Sequence, residues 1–271
     1  MLLNLSYYGN TGASPVFFGH GFPFNNTLWK RVIKRLLKNK ELSRRYCYIA
    51  PNFRGMGSPQ KCSFIIPNAK ISKMSQFADD IAHVADCFAA EEFVYCGMSM
   101  GAYVGWELWN RYPERLKGLI IADSNASSDS AEAAENRLKT ADRVEKENSC
   151  AFLADAMQEK LFAPESLKSQ PKAVKRFRKM VKSNNPQGVA AAARGMTQRA
   201  DFSARLKDIT VPTLVLGGEF DVLSPPDSLK AIADAMPNAQ HAVIPNAGHL
   251  SPLENPNAFT EILEEFLLSL K

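Results

Sequence analysis

The chain alternates short apolar runs with longer amphipathic stretches. Val16-Phe17-Phe18, Tyr46–Ala50, Phe93–Cys96, Leu119–Ala122, Thr213–Leu216 and Ala242-Val243-Ile244 are continuously apolar rather than alternating. Strands covered on both faces require that pattern. Between them lie helical stripes: Phe77, Ile81, Val84, Ala85 and Phe88 share one face, and Phe259, Ile262, Leu263, Phe266 and Leu267 share another near the C-terminus. Strand and helix in alternation predict an α/β chain, with a mainly parallel sheet flanked by helices on both faces. In such a sheet, ligands bind at the carboxyl ends of the strands.

The alternation stops between about residues 125 and 200. That stretch is rich in Ala, Glu, Lys and Arg, poor in strand formers, and interrupted at Pro164, Pro171 and Pro186. It predicts several helices forming a cap, or lid, inserted between two strands. The core is then residues 1–124 and 201–271, and the cap is residues 125–200.

Composition narrows the class. The 271 residues are 45% hydrophobic, enough for a single large core. The N-terminal MLLNLSYYGN lacks the basic and apolar regions of a signal peptide, and no apolar run approaches the ~18 residues of a membrane span. No membrane association is therefore expected. The five cysteines, Cys47, Cys62, Cys87, Cys96 and Cys150, are scattered, without a CxxC pair. Reduced thiols in a cytoplasmic protein are expected, with no structural metal. The net charge is +5, and much of the excess lies between Lys168 and Lys182. With no nucleic-acid-binding module alongside, this reads as a solvated helix face and predicts no nucleic-acid partner. A basic rim that draws anionic substrates toward a nearby pocket is the sharper alternative.

The strongest chemical signal is Gly97-Met98-Ser99-Met100-Gly101, directly after one strand and before a helix. A serine nucleophile must project from a very tight strand-to-helix turn, and the small flanking residues let the backbones approach. The amide of Met100, at the helix start, faces developing negative charge. A second donor is needed, and Phe17-Phe18-Gly19-His20-Gly21-Phe22 ends another strand in a glycine-bracketed turn. The amide of Phe22 is the candidate, with His20 organising the loop. Phe22, Phe24 and Trp29 line the pocket or pack beneath the turn.

Of the four histidines, His83 lies on an amphipathic helix and His241 opens a strand run. His249 follows that strand in the loop Pro245–Gly248 and is the candidate general base. Two aspartates follow strands at the same edge, Asp123 and Asp221, and either preserves the order Ser, Asp, His. Asp221 lies on the strand nearer the histidine loop and is preferred, with Glu219 a weaker rival.

The ordered marks FFGHGF, PNFRGMGSP, GMSMGA, LIIADS, PTLVLGGEFDVLSP and IPNAGHLSPLENP together make the chain resemble the α/β-hydrolase superfamily from Val16 onward. The resemblance implies an α/β-hydrolase fold with a helical cap, a triad of Ser99, Asp221 and His249, and an oxyanion hole from the amides of Phe22 and Met100. Departures are Asn52, where aspartate is common, Ala102, where a second glycine is common, and a short N-terminal start to the sheet. GMSMGAYVGWEL, LIIADSNA and AAARGMTQRADFSARLKDITVPTL resemble the branch containing 3-oxoadipate enol-lactonases and small esterases. This implies a serine carboxylesterase or lactonase acting on a small-molecule ester or lactone, with no metal or organic cofactor. Other reactions of the same site, namely C–C bond hydrolysis, thioester hydrolysis and perhydrolysis, and a non-catalytic receptor role, are the alternatives. Arg194 and Arg199 either hold a substrate carboxylate or brace the lid.

Overall fold

Every apolar run read from the sequence is a strand in the computed structural model, which describes residues 3–57 and 70–270. The strands are β1 (Leu5–Tyr8), β2 (Ser14–Gly19), β3 (Tyr46–Pro51), β4 (Phe93–Met98), β5 (Leu116–Ala122), β6 (Thr213–Gly218) and β7 (Ala239–Ile244). They form one sheet in the order β1-β3-β2-β4-β5-β6-β7. Only the β1–β3 pairing is antiparallel; the other neighbours run parallel. The four-residue β1 opens the sheet as its antiparallel strand.

The chain builds outward from β2 to β3, then returns across the sheet to β4 and proceeds the other way. The switch in strand order therefore lies between β2 and β4, the place at the strands' carboxyl ends where sheets of this kind bind ligands. The glycine-bracketed turn after β2 and the serine turn after β4 both lie at that edge.

The helices α1 (Lys30–Leu36), α2 (Leu42–Arg45), α3 (Met74–Cys87) and α4 (Met100–Arg111) belong to the first half of the sheet. The helices α10 (Pro226–Asp234), α11 (Ser251–Glu254) and α12 (Pro256–Ser269) belong to the second. α1 packs on α12, and α3 on α4. Strands β3, β4 and β6 are buried along their whole length. One expectation changes at β7. It is the edge strand, paired only with β6, and most of its residues stay partly exposed, Val243 among them. His241 lies within it rather than at its start. A second change concerns Phe88, which caps the end of α3 and is 39% exposed, stacking on Tyr7 rather than entering the core.

Between β5 and β6 the chain forms α5 (Ala131–Glu147), α6 (Ala151–Leu161), α7 (Pro164–Ser169), α8 (Pro171–Lys182) and α9 (Pro186–Met196). The three prolines read as breaks each open a helix, where the missing N–H costs nothing. α5 packs along α9, and α6 on α8. On α8, Ala173, Phe177, Met180 and Val181 face inward, while Lys172, Lys175, Arg176, Lys179 and Lys182 face solvent. No helix among the described residues is long and apolar enough to cross a membrane. Cys47, Cys87, Cys96 and Cys150 are free thiols; Cys62, like Ser58 and Pro59 of the PNFRGMGSP stretch, lies outside the described residues.

Candidate active site

Ser99 occupies the turn between β4 and α4 with φ +53° and ψ −116°. That is a sparsely populated conformation for a residue with a side chain, and such strain persists only where the surroundings enforce it. Here they do. A Cβ at Gly97 would lie 2.2 Å from the Gly101 carbonyl oxygen, and one at Gly101 would lie 2.3 Å from that of Gly19. The Gly101 carbonyl also accepts a hydrogen bond from the buried Tyr95 hydroxyl at 2.9 Å. The Ser99 amide donates to Ala122 at the end of β5. The glycines of the motif are thus required by close backbone approach.

His249 reaches the serine from the loop after β7. Its Nε2 lies 3.0 Å from Ser99 Oγ, and its Nδ1 lies 2.8 Å from Asp221 Oδ2. All the Asp221 contacts are satisfied. The amides of Leu223 and Ser224 donate to Oδ1 at 2.8 and 3.1 Å, and the Ser224 hydroxyl donates to Oδ2. Burial pushes the Asp221 carboxyl up, but its hydrogen bonds and the facing imidazole outweigh burial and leave it below the usual carboxylate value. Its ionised form can therefore orient His249 and stabilise positive charge on the ring.

Asp123, the alternative acid, points elsewhere. Its Oδ1 accepts from the Gly218 amide at 3.0 Å, and its Oδ2 from the Ser251 hydroxyl at 2.6 Å. It is fully buried, and burial together with nearby Asp221 raises its carboxyl well above the usual range. It does not cap the first helix of the insert; Ser130 does, accepting from Ala133. Glu219 accepts instead from the amide of Asn246.

His20 is a loop organiser. Its Nδ1 lies 2.9 Å from the Gly21 carbonyl, and its Nε2 accepts from the Phe53 amide at 3.2 Å. This assigns the proton to Nδ1. Burial drives the ring down to about 4, so it stays neutral. Asn52 accepts from the Asn26 amide at 2.7 Å and donates to the Asn4 side chain at 3.3 Å.

Phe24 is fully buried and meets Phe177 of α8 edge-on at 6.0 Å, joining the turn after β2 to the insert. Trp29 and Arg194 are committed elsewhere. The Trp29 ring is sealed in the core between Phe18 and Phe259, at 5.1 and 5.8 Å, so it packs beneath the turn instead of lining a pocket. Arg194 is held by Glu145 and Asp142 of α5, at 2.7 to 2.8 Å, the contacts expected of the bracing alternative. Arg199 pairs with the buried Asp129, donates to the Ser127 carbonyl and stacks 4.2 Å over Tyr103.

Ser224 and Glu254 are among the residues that the sequence did not single out. Ser224 secures Asp221, and the spacing Asp-x-x-Ser could have signalled a side chain accepting from the following turn. Glu254 is buried; its Oε2 accepts from the Ala163 amide at 2.9 Å and its Oε1 from the Gly248 amide at 3.0 Å. It thereby ties the insert to the residue preceding His249.

A family model for the alpha/beta hydrolase fold matches residues 14–256, so the chain belongs to the α/β-hydrolase family. It is similar to the solved thermophilic esterase from Thermogutta terrifontis, determined with malate bound. That likeness has a TM-score of 0.90 and 37% identity, and covers 98% of this chain and 93% of the other. It is also 23% identical to 3-oxoadipate enol-lactonase 2 of Acinetobacter baylyi over 267 residues, covering 97% of this chain and 91% of that protein. The bromoperoxidase from Bacillus anthracis shares the fold at a TM-score of 0.79 and 19% identity, over 98% of this chain and 95% of that one.

Proposed function

We propose that the protein is a serine hydrolase that cleaves a small-molecule carboxylic ester or lactone through an acyl-enzyme intermediate. The observation that carries this reading is the unbroken chain from Ser99 Oγ to His249 Nε2 at 3.0 Å and from His249 Nδ1 to Asp221 Oδ2 at 2.8 Å, with the serine on a strained turn. The 37% identical esterase adds support from outside the chain.

In the first step His249 takes the Ser99 proton as Oγ attacks the carbonyl carbon. The oxyanion is held by the amides of Met100 and Phe22. The first begins α4, and the second has no acceptor among the described residues. Asp221 keeps the proton of neutral His249 on Nδ1 and stabilises the imidazolium. His249 then protonates the departing alkoxide. In the second step water, deprotonated by the same imidazole, attacks the acyl group and Ser99 is released. For a lactone the alcohol stays attached to the acyl chain. Side chains, backbone amides and water suffice for this route.

Residues 125–200 act as the cap over the site. Phe24, Phe177 and Phe162 form a buried apolar seam that seats the cap on the core, Phe162 meeting Phe177 at 5.6 Å.

Hydrolysis of p-nitrophenyl esters of increasing acyl length, wild type beside Ser99→Ala, tests the proposal. Turnover in the wild type that the substitution abolishes supports it, and the preferred length sizes the pocket. Equal turnover by both proteins contradicts it.

A further inference from the structure

The loop that carries Phe22 is held from two sides. From the core, the Phe53 amide donates to His20, and the Phe24 amide closes the turn onto the Gly21 carbonyl at 2.9 Å. From the insert, Phe177 packs edge-on against the Phe24 ring and the Asn25 side chain reaches Ser183 at 3.5 Å, while the loop's backbone carbonyls are held by Asn184, just beyond the end of α8. Its Nδ2 donates to the carbonyls of both Pro23 and Phe24, at 2.6 and 2.9 Å. Its Oδ1 accepts from the Gly57 amide at 2.6 Å. Asn184 is 4% exposed, and both amide hydrogens and the carbonyl oxygen are used.

We infer that Asn184 is a positioning residue for the oxyanion-binding amide of Phe22, so that seating of the cap completes the oxyanion hole. The inference rests on the serine-hydrolase reading above. The Pro23 carbonyl shares a peptide plane with the Phe24 amide, which donates to the Gly21 carbonyl, and that carbonyl shares a plane with the Phe22 amide, so fixing Pro23 aims the Phe22 N–H through one hydrogen bond. An oxyanion donor works only when held in advance at hydrogen-bond distance from the developing charge, and a shift of ~1 Å can cost ~10²-fold in rate. The surrounding seam is rigid enough to transmit this constraint. The Asn185 amide donates to the Gly57 carbonyl at 3.0 Å, and Gly188 of α9 sits so close to Gly55 that a Cβ would lie 1.8 Å from the Gly55 carbonyl oxygen. Asn184 therefore acts on the reaction through the backbone of Phe22 and touches no reacting atom.

Asn184→Asp and Asn184→Ser test this. Aspartate keeps the size and the acceptor for Gly57 but turns an acceptor toward two carbonyls; serine retains a short donor if aspartate fails to fold. The readouts are kcat and KM for a p-nitrophenyl ester, the inhibition constant of a trifluoromethyl ketone that forms a tetrahedral adduct, and Tm as a check on folding. The expected result is a ~10- to 100-fold fall in kcat with KM within about threefold. The ketone should weaken by the same factor as kcat/KM. A folded variant whose kcat and ketone affinity stay within about threefold of wild type overturns the inference, as does a loss carried by KM alone. A wild type that neither turns over esters nor binds the ketone overturns the hydrolase reading instead, and the inference with it.

Discussion

Asp123 and Asp221 follow adjacent parallel strands, yet only Asp221 reaches the imidazole of His249. The difference arises from loop geometry. Asp221 stands three residues beyond β6, in a turn whose own amides fix its carboxylate toward His249. Asp123 stands directly after β5 with φ +46°, and its carboxylate is engaged by Gly218 and Ser251. On this account Asp221→Asn lowers kcat by ~10³- to 10⁴-fold, because the imidazole loses its tautomer and its counter-charge. Asp123→Asn stays within ~10-fold of wild type. Steady-state kinetics of the two variants on one ester decide the matter; equal losses would return Asp123 to contention.

His20 predicts an acid sensitivity. The folded protein resists protonating this ring down to about 4, whereas the unfolded chain takes the proton near the usual 6.5. Between those values the unfolded state binds more protons, so stability is full above 6.5 and declines as pH falls toward 4. The loss from this residue approaches about 3 kcal/mol. Denaturant midpoints across that window should fall less steeply in His20→Gln than in wild type. Parallel slopes would show that another group governs the decline.

Glu254 predicts a stability cost with a catalytic consequence. Its carboxylate accepts from two amides, one in the insert and one beside His249. Glutamine can keep one of these contacts but opposes an amide hydrogen to the other N–H. Glu254→Gln should lose about 1–3 kcal/mol in urea denaturation and lower kcat more than Glu254→Asp does. Unchanged stability in the glutamine variant would mean that these amides are readily satisfied by water.

The sheet and the tight turn at Ser99 were legible because their signals are local. Continuous apolar runs such as Phe93–Cys96 report burial on both faces, and the glycines around Ser99 report backbone contacts within a few residues. The aspartate was legible only as a pair of alternatives, since what separates Asp123 from Asp221 is the aim of two turns. Trp29 and Arg194 each stayed between two readings for a related reason. Periodicity shows that a residue is apolar or charged but not what lies opposite it, and their partners Phe259 and Glu145 are 230 and 49 positions away. Asn184 gave no signal at all, because its role lies in contacts with residues about 160 positions earlier. The edge placement of β7 likewise depends on strand order, which an apolar run does not encode.

The central claim is that Ser99 is a nucleophile activated by His249, and covalent labelling tests it most directly. Wild type, Ser99→Ala and His249→Ala would be treated with a fluorophosphonate and the intact and digested masses measured. The account predicts one adduct per wild-type chain, located on Ser99, none on Ser99→Ala, and labelling slowed by several orders of magnitude in His249→Ala. Labelling of Ser99→Ala at the wild-type rate, or a wild-type adduct on another residue, would contradict it.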